Sequence, residues 1–236
     1  MKFLLLYWLL TTLLGAPGHP YSLSGYFGNA IDFNVLGISH VYKGEGVPFD
    51  PEGLTSTLPA IVQVIFGYLV GEYIQLKGKN FEMLAKLILT GVILVFVGYI
   101  WDFSFPINKK IWTSSYVFYT SGLAIITLSM FIYLLEFNNA KGKWSQFFDV
   151  FGKNPLFIFV LSGFLPRVLA LLRWVDHVDE KGEPVYTNIL PWFYQNVCKD
   201  VASDLRIGSL LYALCIIAFM GTIAYLLDKK KIYIRV

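Results

Sequence analysis

The sequence predicts an all-α, polytopic membrane protein, a bundle of about six transmembrane helices in one domain that covers residues 1–236. Of the 236 residues, 56% are hydrophobic and only 15% are charged, and the mean hydropathy is +0.58. Soluble domains carry about 25% charged residues. Long apolar segments alternate with short polar loops, and several approach the ~20 residues that a helix needs to cross a bilayer. These observations disfavour a large soluble domain.

Six apolar segments are predicted, at residues 3–14, 54–76, 81–100, 111–135, 155–172 and 207–227. We expect helices, because a helix satisfies its own backbone hydrogen bonds in lipid. The first segment follows Met1 and Lys2 and precedes a Gly-Ala-Pro-Gly stretch. That pattern has two interpretations, a secretory signal peptide or a short transmembrane helix.

Lysines indicate the orientation, because cytoplasmic loops carry an excess of positive charge. Basic residues cluster in the turn after the second segment, in the loop after the fourth and in the tail (Lys77, Lys79, Lys86, Lys141, Lys143, Lys153, Lys229, Lys230, Lys231 and Arg235). These three regions lie on the same side of the membrane if every apolar segment crosses it. We therefore expect that side, and the C-terminus, to be cytoplasmic. Loops 15–53, 102–110 and 174–206 then lie outside.

Several classes of function are disfavoured by composition. The net charge is only +3, and no basic stripe interleaved with aromatic residues is present, so nucleic acid is not an expected partner. The two cysteines, Cys198 and Cys215, do not form a disulfide framework pattern. No Cys and His cluster has the spacing of a zinc site, so no metal is expected.

The first candidate site is Asp50-Pro51-Glu52, directly before the second apolar segment. Asp is a good N-cap, Pro suits the first helical position, and Glu favours the positive end of the helix dipole. The stretch is therefore predicted to start a helix. Ionisable groups at a membrane edge are also often functional. Gln63, at mid-depth in the same segment, has no obvious structural purpose.

His40 is the candidate general base, because histidine titrates near neutral pH. It lies in a Ser-His-Val-Tyr stretch ten residues before Asp50. The alternative is that His40 is an inert loop histidine, which is the more common case for a lone histidine.

Two further polar stretches precede apolar segments. Asn108 is predicted to cap the fourth segment, with Lys109 and Lys110 at its start. Cations at a helix N-terminus oppose the dipole, so an anionic or polar ligand is one explanation and an ordinary solvated helix entrance is the other. Asn154 is predicted to cap the fifth segment, with Pro155 as its first helical residue.

Four motifs in order carry a family resemblance: FDPEGL (49–54), FPINKKIWTSSYV (105–117), FGKNPLFIFVLSG (151–163) and LLDKKKIY (226–233). The stretch from Ile31-Asp32 to His40-Val41-Tyr42 adds to it. Together they resemble the C-terminal half of the heparan-alpha-glucosaminide N-acetyltransferase family. They resemble still more closely its bacterial homologues, which are labelled acyltransferases or N-acetylglucosamine-related transporters. The resemblance covers essentially the whole chain.

The resemblance implies transfer of an acetyl group from cytoplasmic acetyl-CoA, across the membrane, to the amine of a glucosamine-type sugar. On this basis His40, Asp50 and Glu52 are the catalytic candidates. Asn108, Lys109, Trp112 and Asn154 are the candidate binding residues. The catalytic histidine proposed for the family lies in its N-terminal half, and His40 matches a different, later position. We therefore expect the chain to be a C-terminal portion, with the first segment a true membrane helix.

Two other functions fit the same pattern. One is a sugar transporter or permease component, and the other is a non-catalytic membrane module that completes a complex with a separate N-terminal half. The expected partners are the lipid bilayer, an amino sugar, and either a second copy of the chain or that N-terminal half. The expected location is the bacterial inner membrane.

Overall fold

The structure, a computed structural model, describes residues 1–234 and is mostly helical. It divides into two compact units, Met1–Ala140 and Lys141–Val236. The first unit contains α1 (Lys2–Leu14), α2 (Gly28–Val35), α3 (Thr57–Lys77), α4 (Phe81–Asp102) and α5 (Ser114–Ile132), and a π-helical turn (Tyr133–Phe137) extends α5. Arg235, one of the predicted tail cations, lies outside the described residues.

The second unit mixes helices with one hairpin. It contains α6 (Lys143–Lys153), α7 (Pro155–Leu169), β1 (Trp174–Val178), β2 (Pro184–Thr187) and α8 (Ile189–Phe193). A π-helical turn (Tyr194–Cys198) and a 3-10 turn (Lys199–Val201) lead to α9 (Leu205–Lys229). The antiparallel pairing of β1 with β2 corrects the all-α prediction in loop 174–206, where alternating β-branched and aromatic residues favour strands.

Within residues 1–234, four helices are long and apolar enough to cross a membrane: Thr57–Lys77, Phe81–Asp102, Ser114–Phe137 and Leu205–Lys229. A fifth span results if α6 and α7 are counted together, although they meet at 79°. The predicted count of six is not confirmed. The difference comes partly from α1, whose 13 residues make a helix only about 20 Å long, against a hydrocarbon core of about 30 Å.

Helix α1 is nevertheless built into the first unit. The side chains of Leu4 and Tyr7 are fully buried, and the Ser114 hydroxyl donates to the Leu4 carbonyl oxygen at 2.8 Å. These contacts make α1 part of the packed core of the first unit.

A short turn separates α3 from α4. Gly78 follows α3 with φ of +62°, a left-handed conformation that glycine adopts without steric cost. The Asn80 side chain then caps α4 by accepting a hydrogen bond from the Met83 N–H at 2.7 Å. The predicted third segment, 81–100, is confirmed as a helix of nearly the same bounds.

Glycines allow α4 and α5 to pack closely. A Cβ placed on Gly122 would lie 2.6 Å from the Gly91 carbonyl oxygen, and one on Gly98 would lie 2.6 Å from the Tyr119 nitrogen. No side chain fits at these distances, so the two backbones approach each other directly. Small residues at such crossings are typical of helix pairs in membranes.

Candidate functional site

An aromatic cluster holds the polar loops at one end of the first unit. Its buried members come from α1, from loop 15–56 and from the loop between α4 and α5: Tyr7, Tyr26, Phe27, Phe49, Phe105 and Ile111. Rings at centroid distances of 5–6.5 Å, such as the Tyr7 and Phe105 rings at 6.2 Å, are in the range of favourable aromatic pairs. The cluster brings three sequence-distant segments to one place.

A chain of hydroxyl groups runs through this cluster. The Tyr7 hydroxyl donates to the Ile111 carbonyl oxygen at 2.5 Å and lies 2.7 Å from the Tyr26 hydroxyl. The Tyr26 hydroxyl in turn lies 2.6 Å from Thr55 Oγ1. These bonds connect α1, the loop before α2, the entrance to α3 and the entrance to α5.

Asp32, on α2, is a buried acid beside this chain. It is 1% exposed; its Oδ1 accepts the Leu54 N–H at 2.9 Å, and its Oδ2 has no hydrogen-bond partner within residues 1–234. Burial raises the pKa of the Asp32 carboxyl, the Leu54 hydrogen bond opposes that rise, and the Asp50 charge adds to it. The sequence did not single out Asp32, because nothing in its local pattern signals burial.

The Asp50-Pro51-Glu52 stretch is a turn, and the prediction that it starts a helix is wrong. Asp50 Oδ1 accepts the Glu52 N–H at 2.9 Å, which closes a local side-chain turn. Helix α3 begins only at Thr57, after Ser56. Asp50 is half-buried, whereas Glu52 is exposed and its carboxylate has no partner among the described residues. Both acids therefore lie on a loop near Asp32.

His40 is exposed, and its ring orientation is defined. Its Nδ1 lies 2.8 Å from the Leu36 carbonyl oxygen and 3.2 Å from Ser39 Oγ. A carbonyl oxygen only accepts, so the proton of neutral His40 belongs on Nδ1. That assignment leaves the Nε2 lone pair free, which is the form of histidine that acts as a base.

Asn108 and Lys109 lie in a loop, and the prediction that Asn108 caps a helix is wrong. Helix α5 begins at Ser114, and Thr113 is its capping residue. Asn108 Oδ1 instead accepts the Lys110 N–H at 2.9 Å, which leaves the Asn108 NH2 group without a partner among the described residues. Lys109 is exposed. It precedes Ser114, the first residue of α5, by five positions, so it does not lie at the helix N-terminus and does not oppose the helix dipole.

Trp112 and Gln63 form a polar connection between this loop and the membrane-spanning part. Trp112 has a positive φ of 50°, and its indole N–H donates to Gln63 Oε1 at 3.0 Å. The Gln63 amide NH2 donates to Thr120 Oγ1 at 3.3 Å. Gln63, which had no obvious structural purpose in the sequence, thus orients Trp112 from inside the helix bundle.

One ion pair joins the two site loops. Lys110 Nζ contacts Glu45 Oε2, and Phe49 packs in the same cluster as Phe105. Loop 40–53 and loop 103–113 therefore lie at the same end of the first unit. The structure brings together the regions that carry His40, Asp50, Glu52, Asn108, Lys109 and Trp112.

Asn154 belongs to the second unit. It lies between the end of α6 and the start of α7, and Pro155 is the first residue of α7, as predicted. The Asn154 side chain makes no capping hydrogen bond to either helix. The fully buried amide instead binds the C-terminal tail: its NH2 donates to the Ile232 carbonyl oxygen at 3.0 Å, and its Oδ1 accepts the Ile234 N–H at 2.8 Å. A ligand-binding role for Asn154 stays a prediction.

Curated relatives are found along nearly the whole chain. The human heparan-alpha-glucosaminide N-acetyltransferase is 26% identical over 263 residues, covering 97% of this chain and 35% of that protein. The mouse protein of the same name is 25% identical over 238 residues, covering 92% of this chain and 31% of its own length. The chain resembles the heparan-alpha-glucosaminide N-acetyltransferases. It spans about a third of the length of these relatives, and no family model matches it. The resemblance stated from the four motifs is confirmed.

Proposed function

We propose that this chain forms a membrane-embedded part of an N-acetyltransferase that moves an acetyl group from acetyl-CoA to the amine of a glucosamine-type sugar. The observation that carries the proposal is the similarity to heparan-alpha-glucosaminide N-acetyltransferase over 97% of the chain. The name of that relative gives both the reaction and the class of acceptor. The apolar helices support a location of this enzyme in a membrane.

The reaction joins the amine nitrogen to the acetyl carbonyl carbon and breaks the bond from that carbon to the CoA sulfur. The amine loses a proton, and the departing thiolate gains one. A base near neutral pH is therefore needed. His40 suits this role, because its Nδ1–H is held by the Leu36 carbonyl and its Nε2 is free. Nε2 takes the proton of the amine on the outer side, and the CoA thiolate takes a proton from water on the cytoplasmic side.

The tetrahedral intermediate needs hydrogen-bond donors for its negatively charged oxygen. In the proposed site the unpartnered NH2 group of Asn108 and the ammonium group of Lys109 supply them. Asp50 and Glu52 carry the negative charge that attracts an amino sugar, and Trp112 offers a rigid indole for sugar packing. Acetyl-CoA is a co-substrate here, and its CoA moiety stays on the cytoplasmic side, away from Lys109.

The proposed location is the bacterial inner membrane, with the C-terminus in the cytoplasm. In the first unit Lys77 and Lys79 lie at the end of the helices opposite the candidate site. Excess positive charge marks the cytoplasmic end, so the site would face outward and the acetyl group would have to cross the bilayer.

A sugar transporter is the second candidate function. The observation in its favour is the break at Asn154, where α6 and α7 meet at 79°. Broken helices supply binding groups at mid-membrane in many transporters. A non-catalytic module that works only with a separate partner chain is the third candidate.

The test supplies membranes that contain the chain with labelled acetyl-CoA and glucosamine. Acetylated sugar without net sugar uptake supports the enzyme, whereas uptake without acetylation supports the transporter. Acetylation that requires co-expression of a partner chain supports the third candidate.

If acetylation is observed, Asp50→Asn and Asn108→Ala should each lower its rate by about tenfold or more, the usual scale for a lost positioning or donor group. Membrane insertion should be unchanged. Asn34→Ala, at an exposed position of α2, is the matched control and should keep the wild-type rate. Wild-type rates in both Asp50→Asn and Asn108→Ala would exclude these residues from the site.

A further inference from the structure

A groove lies between α3 and α5 in the membrane-spanning part of the first unit. Its volume is about 230 Å³. Helix α3 contributes Gln63, Gly67 and Gly71, and helix α5 contributes Ser121, Ala124 and Leu128.

The α3 side of this groove is a smooth stripe. Gln63, Gly67 and Gly71 are spaced four residues apart, so they lie on one face of the helix. The stretch from Gly67 to Gly71 has the Gly-x-x-x-Gly spacing at which membrane helices approach closely. Of the 18 residues in the most apolar part of α3, 11% are buried, against 28% for α4 and 33% for α5.

The glycines of the neighbouring helices provide an internal comparison. Cβ atoms placed on Gly91, Gly98 and Gly122 would meet backbone atoms of the opposing helix at 2.6–3.0 Å. Cβ atoms placed on Gly67 and Gly71 would have no atom within 4 Å beyond the neighbouring residues and the backbone of their own helix. This unit uses glycine where two helices pack closely, and the α3 glycines lack such a partner within residues 1–140.

Ser121 is a second and independent observation on the opposite wall. Thr120, Thr127 and Ser129 of the same helix donate their hydroxyl hydrogens to the carbonyl oxygen four residues earlier, at 2.7–2.8 Å. The Ser121 hydroxyl has no partner within residues 1–234, although the residue is only 6% exposed. An unsatisfied polar group in the bilayer core is costly.

We propose that the α3–α5 groove binds a transmembrane helix that has a small-residue face and one hydrogen-bonding group facing Ser121. A helix backbone fits against the two glycines, and its polar side chain or an exposed carbonyl satisfies the hydroxyl. A lipid acyl chain would fill the groove but offers Ser121 no hydrogen-bond partner. The proposed helix corresponds to one in the portion of the relatives that this chain does not match, which is about two thirds of their length.

The test measures binding of two synthetic transmembrane peptides to the full chain in phosphatidylethanolamine and phosphatidylglycerol vesicles, by energy transfer. The first peptide carries a Gly-x-x-x-Ala face and one Asn at mid-depth, and the second has Leu at these positions. The first should bind at least about fivefold more tightly, the scale expected for close packing and one interhelical hydrogen bond. Gly71→Leu should abolish the preference.

Two variants keep the outcome interpretable. Ser121→Ala keeps the groove shape and should lose only the part of the preference that depends on the Asn of the peptide. Ile65→Leu, at a position 45% exposed on the opposite face of α3, should bind like wild type. Equal binding of both peptides would overturn the proposal. Self-association of the chain that Gly71→Leu abolishes would also overturn it, and would assign the groove to a second copy.

Discussion

At the scale of single residues, the burial of Asp32 makes the stability of the fold depend on pH. Burial and the charge of Asp50 raise the pKa of its carboxyl above the ordinary value of 3.8, despite the hydrogen bond from Leu54. The folded protein therefore binds this proton more tightly than the unfolded chain does. The protonated form stabilises the fold fully below the unfolded pKa, and this stabilisation is lost as pH rises through the raised folded pKa.

Asp32→Asn should remove this pH dependence. Asn cannot ionise, and its side-chain oxygen still accepts the Leu54 N–H. Thermal unfolding in detergent should give the variant a higher Tm than wild type at pH 8, and the difference should shrink towards pH 4. The control is Asp200→Asn, at an exposed position, which should follow wild type throughout. A pH-independent difference between Asp32→Asn and wild type would contradict the assignment.

Sequence alone suggested residues for the candidate site but not their contacts. Asp50, His40 and Asn108 stand out because they are polar residues beside apolar segments. Asp32 and Gln63 acquire their roles from residues 22 and 49 positions away, Leu54 and Trp112. Local patterns carry no information on partners at that separation, so these two roles were not predictable.

At the scale of helices, the contact between α4 and α5 depends on the absence of side chains at the crossing. Gly122→Ala should destabilise the fold, because the new methyl group would have to displace the Gly91 backbone or the Val95 side chain. Overpacking of this kind costs about 1–3 kcal/mol. Unfolding in a detergent and denaturant titration measures the loss.

Gly67→Ala is the matched comparison on α3. Its methyl group would meet no atom within 4 Å beyond the neighbouring residues and the backbone of its own helix, and alanine is preferred over glycine in a helix interior by roughly 0.5–1 kcal/mol. This variant should therefore be as stable as wild type or slightly more stable. A similar loss for both variants would show that the close crossing of α4 and α5 does not govern the effect.

Helix starts were predicted less well than helix cores. Asp50 and Asn108 are both strong capping residues, yet the side-chain oxygen of each accepts the backbone N–H two residues later and so closes a local turn. Such local turns compete with capping for the same residue types. Ser56 and Thr113 precede the actual helices, so the apolar segments begin a few residues later than predicted.

At the scale of the whole molecule, the ends of the first unit differ in charge and chemistry. Lys79 contacts the Glu136 carbonyl oxygen and lies over the Phe137 ring at 5.2 Å. The candidate site, with Lys109 on its loop, is at the other end. Composition predicted the membrane class and most of the segments, but the bend at Asn154 and the two compact units arise from long-range contacts that composition does not encode.

Cysteine labelling tests the orientation. In a background of Cys198→Ser and Cys215→Ser, Lys109→Cys should react with a membrane-impermeant maleimide in intact spheroplasts. Lys79→Cys should react only after permeabilisation. The reverse pattern would place the candidate site in the cytoplasm and remove the need for transfer across the bilayer.

The hydrogen bonds of Asn154 also have a consequence for biosynthesis. Its Oδ1 is paired with the N–H of Ile234, 80 residues later in the chain. At 5–20 residues per second, a ribosome needs roughly 4–16 s to make that stretch. The bend between α6 and α7 is therefore synthesised well before the tail that binds Asn154, and until the tail is made the Asn154 amide lacks these two hydrogen bonds.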